Sequence, residues 1–135
     1  MTIQLINESN LQQNDKELLN AALPYIQTFL ETMTEFYPFA MIQDLNGIIS
    51  ILSPDINNKH PTSTFLIDLY ETTMHNSFSQ GTMFCSGIIC INVVVHDADS
   101  RNAVECRFLH RQREGSKHYV FYKILNGKCI WETVE

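Results

Sequence analysis

The sequence predicts an α+β domain with element order α-β-β-α-β-β-β-β, a mostly antiparallel sheet with two helices packed on one face. Three observations carry this. In two early stretches apolar residues recur at spacings of three and four, as on a helix with one buried stripe. From Gly87 onward the pattern changes to apolar runs and period-two alternation, as in strands. Those strands are separated by short polar turns, so sequence neighbours are expected to pair antiparallel. The 135 residues suit a single domain spanning 1–135, with 1–13 as a loose N-terminal arm.

The first helix is expected from Asn14 to about Thr34. Asn14 and Glu17 fit a capping box, and Asp15 and Glu17 suit the positive end of the helix. Leu19, Ala22, Leu23, Ile26, Phe29, Leu30 and Met33 form its apolar stripe, with Pro24 as a bend or break. Phe39 to Gln43 and Ile48 to Leu52 read as a hairpin turning at Asp44-Leu45-Asn46-Gly47, and a polar loop through His60 follows. A second helix begins at Thr62 or Ser63, buries Phe65, Leu66, Leu69, Tyr70 and Met74, and exits at Gln80-Gly81. Gly87 to Val95 is apolar apart from Asn92, which predicts a central strand covered on both faces at least in part. Ala103 to His110 alternates, with Glu105 and Arg107 on the wet side. A turn at Glu114-Gly115 sets His110 opposite Tyr119 and His118 opposite Arg111. His118 to Leu125 and Cys129 to Val134 flank an Asn126-Gly127 hairpin turn.

Composition narrows the function classes. Net charge is -6, split as -9 over residues 1–100 and +3 over 101–135. An acidic chain repels phosphate backbones at long range, which argues against nucleic-acid binding. A basic stretch around Arg107, Arg111, Arg113 and Lys117 reads as a solvated sheet face or a docking patch for an acidic partner. The N-terminus lacks a positive region followed by an apolar one, and no stretch reaches the roughly 18 apolar residues of a membrane span. With four cysteines and no C-x-x-C spacing, these features predict a cytoplasmic protein with free thiols and no membrane association, metal or cofactor.

No catalytic signature emerges. No phosphate-binding glycine loop or nucleophile elbow occurs. Cys85, Cys90 and Cys106 can each approach His96 or His110, but a buried thiol is inert. Asp68 with Glu71 and Glu31 with Glu35 are acid pairs on helical faces, where solvated pairs are ordinary. The nominees for a small-molecule pocket between the second helix and the sheet are His96, Cys106, His110 and Tyr122. The nominees for a protein interface are Arg107, Leu109, Arg111, Tyr119 and Phe121, an arginine and aromatic mixture of the kind that anchors interfaces.

Glu35-Phe36-Tyr37-Pro38-Phe39-Ala40, followed by Asp44-Leu45-Asn46-Gly47, resembles a segment of small bacterial α+β proteins without assigned function. There too it follows an N-terminal helix and opens the first hairpin, although the turn in those proteins is a simpler Asp-Gly. The resemblance covers about a dozen residues, a span read directly from the motif. Some small bacterial α+β proteins of this size are similar to immunity or antitoxin partners of secreted toxins. The resulting expectation is a non-enzymatic protein-binding domain, self-association across a sheet edge included, with a small-molecule binder or small enzyme as the alternative.

Overall fold

A computed structural model describes residues 12–33, 35–53, 61–80, 83–96 and 100–132. The elements are α1 (Gln13–Met33), β1 (Phe39–Asp44), β2 (Ile49–Ile51), α2 (Ser63–Ser79), β3 (Phe84–His96), β4 (Ser100–His110), β5 (Ser116–Leu125) and β6 (Lys128–Trp131). All strand pairs are antiparallel, in the order β2-β1-β3-β4-β5-β6. The expected class and element order therefore hold. The expected arm falls almost wholly outside the described residues, as do 54–60 of the polar loop, Thr34 and Gly81.

The helices do not share a face. Leu18, Leu19, Ala22, Ile26 and Leu30 of α1 pack with Met41, Ile88, Cys90, Val104, Phe108, Val120 and Tyr122. Leu66, Tyr70, Met74 and Phe78 of α2 pack with Ala40, Ile42, Ile89, Ile91 and Leu109. Successive side chains of a strand point to opposite faces, so these interleaved sets are the two sides of one sheet. The apolar run of β3 has this cause: Ile88 and Cys90 meet α1, while Ile89 and Ile91 meet α2. A single-face arrangement would leave one of these pairs in water.

Local chemistry explains most boundaries. Thr62 caps α2 by accepting a hydrogen bond from Phe65 N–H at 3.1 Å. At α1 the capping residues are Gln12 and Asp15 rather than Asn14 and Glu17. Gln12 accepts from Lys16 N–H, and Asp15 Oδ2 accepts from Gln12 N–H at 3.4 Å. Helix α1 runs on through Pro24. The first hairpin turns on Asp44, whose Oδ1 accepts from both Asn46 and Ile48 N–H at 2.9 Å. At the second hairpin Asn126 and Gly127 both have positive φ, 53° and 77°, the backbone of a tight turn matched to strand twist.

The β4–β5 register differs from the expected one by an odd number of positions. Cys106 faces His118 and Phe108 faces Ser116, while His110 remains opposite Ser86 and Arg111 N–H still donates to Cys85 O. The end of β4 thus stays paired to β3 beyond the point where β5 begins. The connection folds back so closely that a Cβ on Gly115 would lie 2.5 Å from the Phe108 carbonyl oxygen, so glycine is required there. An odd shift exchanges faces: His110 and His118, expected on opposite faces, both lie on the α1 face.

Asn92, the polar break in β3, ties three elements together. Its Oδ1 accepts from Phe36 N–H at 3.3 Å, and its Nδ2 donates to Tyr122 Oη at 2.7 Å. Asn92→Leu strands both partners. The expected loss is about 1–2 kcal/mol, read as a lower urea midpoint at unchanged slope.

Candidate functional site

Two regions gather polar side chains. The first is the part of the α2 face that α2 does not reach. Glu105 is buried on this face of β4, and a buried carboxylate needs partners. Arg107 Nε lies 2.6 Å from Glu105 Oε2, Arg107 Nη1 lies 2.8 Å from Glu71 Oε1 of α2, and Tyr119 Oη donates to Glu105 Oε1 at 3.1 Å. Burial lowers the Arg107 pKa, but the two glutamates outweigh it and leave it raised. Burial first, and then the Glu105 carboxylate, push the Tyr119 hydroxyl up.

Farther along the same two strands, the Arg101 guanidinium sits 3.8 Å above the Phe121 ring and 3.9 Å from Glu132, which also lies 3.7 Å from Lys123. Leu125 and Ile130 are exposed and share this face, as their register with Lys128 and Lys123 shows. The result is a paired lattice of arginine, glutamate and tyrosine flanked by exposed apolar residues. Among the described residues no helix covers it.

The second region lies where the first turn of α1 meets the end of β4. Asp15 is completely buried. Its Oδ2 accepts from Arg113 Nη2 at 3.1 Å, and its Oδ1 lies 3.1 Å from His110 Nε2. That second contact is close but misaligned for a hydrogen bond. Burial alone would raise the Asp15 pKa; His110 and Arg113 beside it prevail and hold it below the ordinary aspartate range. Arg113 Nη2 also donates to Asn14 Oδ1 at 3.2 Å. A cleft of about 340 Å³ opens beside this cluster.

The interface nominees divide accordingly. Arg107 and Tyr119 meet through Glu105, and Phe121 lies beneath Arg101. Leu109 is core beneath α2, and Arg111 lines the second region's cleft instead. Glu105, expected on the wet side, is 7% exposed.

The pocket nominees do not converge. His96 is exposed at the far end of β3, its Nδ1 3.1 Å from Ser100 Oγ. Cys106 and Tyr122 are buried under α1, and His110 adjoins Asp15. At roughly 3.3 Å per residue, His96 and His110 are separated by the length of β4. A groove of about 510 Å³ does lie between α2 and the β4–β5 connection, but its polar lining includes Glu71, His75, Arg107, Arg113, Glu114 and Lys117, with only His110 of the four nominees.

Other nominated chemistry finds structural uses. Glu31 accepts from Cys129 N–H at 2.8 Å, fixing β6 to α1. Cys90 and Cys106 face each other in full burial, and burial, then the neighbouring Cys106, push the Cys90 thiol well up. Cys129 is pushed up to about 11, by burial and then by Glu31. Among the described residues no group of three ligating side chains could hold a metal, and no helix is long and apolar enough to cross a membrane.

Sequence reasoning missed Asp15, Arg101, Leu125 and Ile130. For Asp15 a signal existed. It stands three and four residues before Leu18 and Leu19, on the stripe that α1 buries, and a carboxylate there implies cations opposite. Arg101, Leu125 and Ile130 had no comparable signal, because their shared face depends on strand register.

The class defined by fold and site is an antiparallel six-stranded α+β sheet with one helix on each face and part of one face open. Comparison with protein-family models, curated proteins and solved structures gives no match.

Proposed function

We propose that this chain is a non-enzymatic protein-binding domain whose partner docks on the open β4–β5–β6 part of the α2 face. The observation that carries the reading is the lattice of Arg107, Glu105 and Tyr119, held in place by Glu71, with exposed Leu125 and Ile130 farther along the same face. Arginine and tyrosine anchors already fixed by their neighbours lose little side-chain entropy on binding. A toxin-neutralising role, suggested by analogy of size and α+β class with immunity and antitoxin proteins, belongs to this reading. The acidic first hundred residues would steer a basic partner inward, and the lattice would set its orientation.

The test is affinity capture of the tagged protein from lysate of its own host, read by mass spectrometry. Three baits are compared: wild type, a Tyr119→Ala/Ile130→Glu double variant, and Arg111→Gln. One partner held by wild type and Arg111→Gln, and lost at least tenfold by the double variant, supports the reading. A partner held equally by all three places the interface elsewhere. A wild-type bait that retains nothing specific counts against a binding function.

A further inference from the structure

The cleft beside Asp15 is lined by Asn14, His110, Arg111, Gln112 and Arg113, with Leu45 and Cys85 on its remaining wall. No acidic side chain lines it, although the chain as a whole carries -6. The nearby carboxylate, Asp15, is buried and already engaged by Arg113 and His110. Arg113 is held in one orientation by its bonds to Asp15 and Asn14, so its fork is ordered before any ligand arrives. Asn14 belongs to the first turn of the 21-residue helix α1, whose end contributes partial positive charge.

A second observation points to a ligand. The His110 side chain is 3% exposed, and its Nδ1 has no hydrogen-bond partner among the described residues. A buried ring nitrogen is costly to leave unsatisfied. His110 lines this cleft, and a polar ligand group seated beside the ring is a partner of the kind this nitrogen lacks.

We propose that this cleft binds a phosphate group, free or as a small phosphomonoester. Arg111, Gln112 and Arg113 bring donors from three side chains, which suits the three or more oxygens of a phosphate better than the two of a carboxylate. The volume of about 340 Å³ is at the small end for ligand pockets. Leu45 and Cys85 give an esterified group an apolar wall.

The full chain is titrated with inorganic phosphate, glycerol 3-phosphate and acetate at constant ionic strength, following backbone amide shifts by NMR. The expected result is a saturable shift centred on Asn14 and on residues 110–113. Arg111→Gln should weaken binding by roughly ten- to a hundredfold, and Gln112→Glu, an exposed change that leaves the core untouched, should abolish it. Tighter binding of glycerol 3-phosphate assigns the site to an ester; equal binding assigns it to the free anion. Acetate binding as tightly as phosphate, affinity unchanged in Gln112→Glu, or no saturable shift overturns the proposal.

Discussion

Asp15→Ala is expected to destabilise the fold by about 3 kcal/mol, toward the low end of the cost of breaking a buried ion pair. The loss has two physical parts. His110, buried opposite the carboxylate, loses its polar neighbour, and the end of β4 loses its tie through Arg113 to the first turn of α1. The cost stays moderate because Arg113 is partly exposed and water can take it up. Chemical denaturation measures the loss.

The pH dependence gives an independent check. The folded-state pKa of Asp15 is depressed, so its contribution is complete above the unfolded value near 3.9. That contribution is lost as pH falls from there through the folded pKa. Wild type should therefore lose stability more steeply than Asp15→Asn below about pH 4. Parallel acid limbs for the two proteins would rule out Asp15 as a stabilising ion.

Phe108→Ala is expected to cost about 4 kcal/mol. The ring is 1% exposed in the layer beneath α1 and meets His118 edge-on at 5.7 Å between centroids. Removing it deletes buried apolar surface and leaves a cavity between a helix and a hydrogen-bonded sheet, neither of which collapses readily. Phe108→Leu should recover most of the loss. Val94→Ala, at a residue 48% exposed, should stay within about 0.5 kcal/mol. Urea midpoints of the three variants test the order. A Phe108→Ala loss no larger than that of Val94→Ala would contradict the packing described for this layer.

Much of the fold was legible because it rests on local rules. The periodic spacing of α1 and α2, the start of α2 at Thr62 or Ser63, and the Asn126-Gly127 turn each act within a few residues, so their residue types suffice to locate them. Even the two-sided cover of the sheet was written in the Gly87–Val95 run, since a strand apolar on both faces requires something apolar over each. Placing both helices on one face set that signal aside.

The sites were less legible, because they depend on which strand residues lie opposite one another. By itself the sequence determined the element order, the antiparallel class, the central strand and most of the buried stripes, from which the exposed Met33 and Phe65 depart. Tertiary structure alone decided that β5 pairs from Ser116 opposite Phe108 while His110 stays with β3. That choice put His118 on the α1 face and joined Tyr119 to Arg107 through Glu105, while the end of β4 at His110 left Arg111 outside the strand and beside the other cleft. The reason is the period of two in a strand: an odd shift in register costs little in local propensity yet moves every side chain to the other face. Only the packing of two helices against a shared sheet selects between the alternatives.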